Sequence, residues 1–285
     1  MFSYRHAFHA GNHADLLKHL VLVQVLRHLA QKPTPFWVVD THAGAGIYSL
    51  ESEWAAKRSE FDTGIGRIWD RQDAPPAIAD YRSVIAAFNP QGKLRAYPGS
   101  PFIALHLMRE NDRLRLFELH ANESLALAGN LGALGKQATR RTIIDAADGF
   151  VGLQALLPPP PRRGLILIDP SYEDKRDYAR VVSALRAAIS RFATGCYAIW
   201  YPQVQRREPA EMIRKLSRMP GLRWLHASLT VCAPSADGLG LHGSGMFIVN
   251  PPWTLQASMR ECLPWLCNLL GRDRAAGWSL QHQGD

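Results

Sequence analysis

The stretch Gly164-Leu165-Ile166-Leu167-Ile168-Asp169-Pro170-Ser171-Tyr172-Glu173 constrains the fold more than any other part of the chain. Four branched aliphatics follow a glycine and stop at an acid, a proline and an aromatic. A short apolar run without polar alternation predicts a strand buried on both faces, as in parallel sheets covered by helices. Its carboxyl end is then the edge at which open α/β sheets hold ligands. Asp-Pro-x-aromatic at such an edge suits chemistry on an exocyclic amine of a nucleobase. Asp169 and the Pro170 carbonyl can accept the two amino hydrogens, and Tyr172 offers a flat stacking surface. The same residues are also ordinary turn chemistry after a strand, so the surrounding chain has to decide.

Two other strand ends bear on that decision. Phe36-Trp37-Val38-Val39-Asp40 reads as a short buried strand, followed by Thr41-His42-Ala43-Gly44-Ala45-Gly46. A Gly-x-Gly turn running into a helix is expected there, its glycines letting backbone approach a ligand and the helix amino terminus favouring negative groups. A nicotinamide-binding loop is the rival reading. Against it, the third glycine of that fingerprint falls at Ser49, and the acids Glu60 and Asp62 lie in a polar stretch rather than at a strand end. Glu118, at the tip of the alternating strand Leu114-Arg115-Leu116-Phe117-Glu118, is placed to grip ribose hydroxyls.

The remaining pattern alternates regularly and predicts one α/β domain over 1–285. Its sheet is doubly wound, Rossmann-like and mostly parallel, with an antiparallel last strand. Asn12 caps a helix over about 13–31, with Leu16, Leu20, Val23 and Leu26 on one face and Lys18, Arg27 and His28 largely off it. Residues 52–97, with Pro75-Pro76, Asn89-Pro90 and a helical pattern at 77–88, read as an inserted helical subdomain. Pro98-Gly99-Ser100-Pro101 starts the helix that rejoins the main sheet. Helices follow at 122–134, 149–157 (capped by Asp148), 175–192, 207–218 and 254–270. Strands are expected at 141–144, 195–201, 222–232 and 245–250, with 233–244 a hairpin loop.

The formal net charge of +8 and pI near 9.5 point to an anionic partner, most commonly nucleic acid. The four cysteines form no C-x-x-C pair, so neither a zinc site nor a disulfide framework is indicated and a cytoplasmic protein is expected. No signal peptide is read at the start, since Lys18, His19, Gln24, Arg27 and His28 interrupt the apolar positions. No apolar run approaches the roughly 18 residues of a membrane span. His6, His9 and His13 invite a metal, but no carboxylate or cysteine completes a ligand spacing, and none is expected. Residues 1–12, polar, aromatic and basic, read as a substrate-contacting arm. A monomer is the default oligomeric state.

The order Asp40-Thr41-His42-Ala43-Gly44-Ala45-Gly46, Glu118, Asp169-Pro170-Ser171-Tyr172 resembles the AdoMet-dependent adenine-N6 methyltransferases. With Tyr4-Arg5-His6, Gly11-Asn12-His13-Ala14-Asp15, Lys18-His19 and the terminal Ile248-Val249-Asn250-Pro251-Pro252-Trp253, the chain resembles the RlmJ family along nearly its whole length. That family methylates N6 of one adenine in 23S ribosomal RNA. The resemblance implies that Lys18, His19, Asp40, His42, Gly44, Gly46, Ser100, Glu118, Asp148, Gly149 and Asp169 surround S-adenosyl-L-methionine. It implies catalytic roles for Asp169, Pro170 and Tyr172, contact of Tyr4, Arg5 and His6 with the RNA, and no metal. Ser171 departs from the family pattern, which usually has a second proline there. That leaves the acceptors in place but relaxes the turn. A non-catalytic RNA-binding protein would explain the charge without explaining the order of the three motifs.

Asn250-Pro251-Pro252-Trp253 is a second match to the same residue pattern, and by residue type a better one. Topology argues against it, because a strand ending at Asn250 and running antiparallel would deliver it to the opposite edge of the sheet.

Overall fold

The structure, a computed structural model, describes residues 9–51, 60–238 and 240–284. Its centre is an eight-stranded sheet. The strands are β1 (Trp37–Asp40), β4 (Arg113–Phe117), β5 (Thr142–Asp145), β6 (Gly164–Ile168), β7 (Cys196–Gln203), β8 (Trp224–Thr230), β9 (Gly243–Val249) and β10 (Gly277–Gln283). Their spatial order is β10-β8-β9-β7-β6-β1-β4-β5, and β2 (Ile47–Ser49) pairs with β3 (Ala96–Pro98) in a separate two-stranded sheet. From β5 to β7 all neighbours are parallel. From β7 to β10 they are antiparallel.

The expected burial of β6 is visible residue by residue. Leu165 and Leu167 join the core under the helix His13–Ala30, whereas Ile166 and Ile168 join the core under the helix Arg176–Arg191. Each face of the strand thus meets its own helical layer. That removes all pressure for polar alternation, and the five-residue run is buried throughout.

The helix His13–Ala30 begins where Asn12 Oδ1 accepts from the Ala14 and Asp15 amides at 2.9 and 3.1 Å. It differs from the amphipathic helix expected of it. The helices Pro76–Ala87 and Ser100–Leu107 pack along it, Lys18 is buried against Asp15, Asp169 and Trp200, and His19 is buried against Tyr97.

The turn after β1 also departs from expectation. Gly44 and Gly46 adopt φ of +61° and +84°, but the chain then enters β2 rather than a helix. Ile47 and Tyr48 favour extended backbone, and the pairing of β2 with β3 brackets the segment between them. The first helix of the βα unit is therefore Ser100–Leu107, joined to the turn by a Gly99 N–H that donates to the Gly46 carbonyl at 2.8 Å. Within the described part of the intervening segment, Ile65, Ile68, Tyr81, Val84 and Ile85 enter the same core as the helix His13–Ala30.

Besides β2, β3 and the short helical turns at 60–69, two further elements escape the sequence pattern. Lys136–Arg141 is a short charged helix, and β10 is an additional strand antiparallel to β8, so the strand ending at Val249 is not the last in the chain. That strand does run antiparallel to β7, as expected. Asn250, at φ +51°, donates from Nδ2 to the carbonyls of Ala193 and Gly195, both at 2.8 Å, just before β7 begins. It lies on the edge of the sheet opposite Asp169. Asp148 caps as expected, but the α-helix behind it spans only Gly149–Gly152 before tightening to a 3-10 turn.

Burial makes three histidines resist protonation: His13 and His226 are pushed down to about 4 and His42 to about 3. In the unfolded chain they take up protons near pH 6.5. Falling pH therefore charges the unfolded state first, and stability drains away between about 6.5 and 4. Asp40, raised by burial to about 6, acts in the opposite sense between about 6 and 4. Burial raises Asp177 too, but it also lowers His28, His106 and His242, so the bases outweigh the acids and the urea midpoint is expected to be lower at about pH 5 than at about pH 7.5. An equal or higher midpoint at the lower pH would contradict these assignments.

Candidate functional site

The carboxyl ends of β1, β4, β6 and β7 open into one cavity of about 540 Å³, bounded on its other side by the start of the helix His13–Ala30. Strand order brings this about. β1 lies between β4 and β6, so the Gly-rich turn, Glu118 and Asp169 emerge side by side.

Asp169 meets a partner that the local sequence does not announce. Its Oδ2 lies 2.6 Å from Lys18 Nζ, which is also 2.9 Å from Asp15 Oδ1. Asp15 Oδ2 in turn accepts from the Gly11 amide at 3.0 Å. A buried ammonium is thereby held between two carboxylates, the arrangement that offsets desolvation of all three. The Lys18 ammonium also lies 5.7 Å from the centre of the Trp200 ring.

Tyr172 follows in the left-handed region at φ +55°, a strained position for an aromatic residue. Its hydroxyl donates to the Trp200 carbonyl at 2.7 Å, and its ring packs 4.4 Å from Tyr178 and 6.1 Å from Trp200. The ring is thus held in place by its neighbours and is only 2% exposed, which leaves it little open face toward the cavity.

Glu118 is buried with both oxygens aimed. Oε2 accepts from the Gly44 amide and Oε1 from the His120 amide, each at 2.8 Å. Each carboxylate oxygen keeps a further acceptor site. The carboxylate fixes the Gly-rich turn while still able to take a hydroxyl hydrogen from a ligand. Gly44 has no room for more, since a Cβ there would lie 2.4 Å from the Tyr48 hydroxyl.

On the far wall, Asp148 Oδ1 accepts from the Phe150 amide at 2.9 Å and Oδ2 pairs with Arg180, whose guanidinium sits 4.4 Å above the Phe150 ring. His42 packs edge-on against the same ring at 4.9 Å and hydrogen-bonds Thr41 Oγ1 at 2.8 Å. His19 Nδ1 lies 2.7 Å from the Tyr97 hydroxyl, which meets the Tyr81 hydroxyl at 2.8 Å. This chain ties the site to the inserted segment.

Of the residues expected from the sequence, Lys18, His19, His42, Gly44, Ser100, Glu118, Asp148, Gly149, Asp169, Pro170 and Tyr172 line the cavity. Asp40 and Gly46 do not. Asp40 lies one layer behind, accepting from Ser100 Oγ at 2.6 Å and the His42 amide at 3.1 Å, and burial raises its pKa to about 6. Gly46 is closed in by Phe102 and Leu127. Tyr4, Arg5 and His6 lie outside the described residues. Sequence reasoning missed Asp15, Tyr178, Arg180, Trp200 and Arg206. Trp200, an aromatic near the end of the strand beside β6, carried a usable signal.

The chain matches the family described as "Ribosomal RNA large subunit methyltransferase D, RlmJ" over residues 33–283. It belongs to the RlmJ family. An Escherichia coli K12 protein named "Ribosomal RNA large subunit methyltransferase J" is 48% identical over 266 residues, 93% of each chain. A Haemophilus influenzae protein of the same name is 43% identical over 282 residues, covering 99% of this chain and 98% of the relative. A solved structure from Legionella pneumophila superposes with a TM-score of 0.86 at 34% identity, covering 96% of this chain and 98% of the other. Among the described residues no helix is long and apolar enough to cross a membrane, and no group of three or more His, Cys, Asp or Glu side chains is placed to hold a metal.

Proposed function

We propose that the protein transfers a methyl group from S-adenosyl-L-methionine directly to the N6 amine of an adenine in 23S ribosomal RNA. The observation that carries this reading is the placement of Asp169-Pro170-Ser171-Tyr172 at the end of β6, in one cavity with the Gly-rich turn of β1 and with Glu118. The names of the relatives support the choice of ribosomal RNA.

The cavity fits such a methyl donor. Its volume of about 540 Å³ lies within the range of small-molecule sites. Glu118 has acceptor capacity for ribose hydroxyls, and Asp148 with Gly149 and His42 forms a second wall suited to the donor's adenine. Ser100, His19 and Lys18 complete the end nearest β6. When bound, S-adenosyl-L-methionine supplies a methyl group already activated on a sulfonium, so the protein's task is largely to orient and desolvate the reactants.

Asp169 accepts a hydrogen bond from the target amine and stabilises the positive charge that develops on nitrogen. The Pro170 carbonyl can accept a hydrogen bond from the second amino hydrogen, which would fix the orientation of the nitrogen. Lys18 holds the Asp169 carboxylate at a fixed point. The adenine has to leave its stack to enter, and Tyr172, together with the more open Trp200 beside it, is the aromatic pair proposed to receive it. Tyr4, Arg5 and His6 are proposed to contact the RNA.

Incubation of the purified protein with labelled S-adenosyl-L-methionine and unmodified 23S ribosomal RNA, followed by nucleoside mass spectrometry, tests the reading. N6-methyladenosine is the expected product. Labelling confined to DNA or to another nucleoside would redirect it, and no transfer despite cofactor binding would favour a non-catalytic RNA-binding role.

Two further outcomes follow from the geometry. Glu118→Gln turns one acceptor oxygen into an N–H donor facing a backbone amide, so cofactor affinity is expected to fall by about tenfold or more, one to two charged hydrogen bonds' worth. Calorimetry showing unchanged affinity would remove Glu118 from the cofactor site. Asn250→Ala loses two hydrogen bonds and a left-handed residue, for about 1–3 kcal/mol of stability. Methyl transfer per folded molecule is nevertheless expected to persist. A folded, cofactor-binding but inactive Asn250→Ala protein would require a different site.

A further inference from the structure

We propose that a groove between the carboxyl-terminal halves of the helices Arg176–Arg191 and Glu208–Ser217 is a second substrate surface, which takes the sugar-phosphate backbone of the RNA. The proposal rests on the RNA reading above and adds where the polyanion is held.

The catalytic cavity is poorly suited to that task. Among the described residues its lining carries seven carboxylates against three Lys or Arg side chains, in a chain of net charge +8. A net-negative mouth favours a cationic methyl donor and repels phosphates. Its cations are also engaged: Lys18 with Asp15 and Asp169, Arg180 with Asp148 and Asp177, and Arg206 with the Tyr172 carbonyl. The positive charge that would attract RNA has to lie elsewhere.

The groove supplies it. It encloses about 360 Å³ and is lined by Arg186, Arg214, Lys215, Arg218, Met219 and Pro220, without a carboxylate. All four basic side chains are exposed. Arg176 and Arg180, higher on the same pair of helices, form ion pairs with Asp174, Asp148 and Asp177. Among the described residues none of the four in the groove has such a partner. Arg214, Lys215 and Arg218 would complement the negative end of their helix dipole in any protein. Arg186 is not explained that way, because its helix continues for more than a turn to Arg191. Three of the four cations are arginines, whose planar fork matches phosphate oxygens in pairs.

The path is short. Both helices follow parallel strands and start at the catalytic edge, so they run side by side and end together. Arg180 lines the cavity, and Arg186 lies roughly 9 Å further along the same axis at 1.5 Å per residue. An RNA strand leaving the mouth past Arg206 can therefore follow the outer face of the two helices into the groove.

The test compares wild type with an Arg186→Glu/Arg214→Glu/Arg218→Glu variant and its Gln counterpart on two substrates. These are full-length unmodified 23S ribosomal RNA and a short adenine-containing oligoribonucleotide that reaches only the mouth. For the long RNA, KM is expected to rise at least about tenfold, and the slope of log affinity against log salt to fall by about 2 to 3. Cofactor affinity, turnover at saturating RNA and transfer to the oligonucleotide are expected to stay as in wild type. Unchanged KM and salt slope for 23S RNA in the folded Gln variant would overturn the proposal while leaving the methyltransferase reading intact. Failure of wild type to methylate either RNA would overturn the reading and the groove with it.

Discussion

Replacing Asp169 with alanine is expected to lower the turnover of methyl transfer by about 10²- to 10³-fold, the scale of losing one aimed electrostatic partner in an enclosed site. The fold is expected to survive, for a reason visible in the ion pairs. Lys18 keeps its 2.9 Å partner in Asp15 when Asp169 is removed, so no uncompensated ammonium is left in the interior. The acceptor matters mainly when the amine carries developing charge, so the deficit should appear in kcat more than in KM for RNA. Asp169→Asn is a stricter version. It keeps an oxygen acceptor but places a neutral amide against Lys18, and severe impairment is expected there too. Transfer within a factor of a few of wild type in Asp169→Ala, by nucleoside mass spectrometry, would refute the role given to this carboxylate.

Asp169 could be picked out from the sequence because β6 is buried on both faces. Double burial leaves a strand no polar position until the chain leaves the sheet, so the first acid marks the strand's end and the site's edge together. Asp40 ends the buried strand β1 in the same way but lies one layer behind the cavity, whereas Glu118 follows the half-buried, alternating strand β4. The helix His13–Ala30 was harder. Lys18 and His19 look solvated in a helical projection, yet Lys18 is buried against Asp169 and His19 against Tyr97, partners far away in sequence. β10 was not legible, because a half-exposed edge strand such as Gly277-Trp278-Ser279-Leu280-Gln281-His282-Gln283 has few apolar positions to repeat. The pairs that finish the site, Lys18 with Asp169 and Arg180 with Asp148, join residues far apart in sequence, and no local pattern records them. The turn after β1 misled for a related reason. The glycines were rightly assigned to a tight turn, but the pairing of β2 with β3 that follows depends on residues some fifty positions downstream.

Gly149→Ala is expected to damage the cofactor side of the site. A Cβ at this position would lie 2.1 Å from the Thr41 carbonyl oxygen and 2.8 Å from the Thr41 carbonyl carbon and Cα, so it meets backbone rather than a side chain that could swing away. Thr41 cannot retreat easily. Its amide and its hydroxyl both donate to the Leu167 carbonyl at 3.1 Å, which ties it to β6 two residues before Asp169. The other partner cannot retreat either without moving Asp148 off the Phe150 amide and away from Arg180. Overpacking of this kind costs about 1–3 kcal/mol. Because the two segments forced apart are both walls of the cavity, cofactor affinity is expected to fall at least about tenfold along with the melting temperature. Gly129→Ala provides the control. Gly129 lies in the helix Ala121–Ala133 with nothing within 4 Å of a new Cβ, so relief of the glycine penalty should leave stability equal or higher by up to about 1 kcal/mol. Calorimetry and thermal melts that ranked the two variants alike would show that the contact between Thr41 and Gly149 does not shape the site.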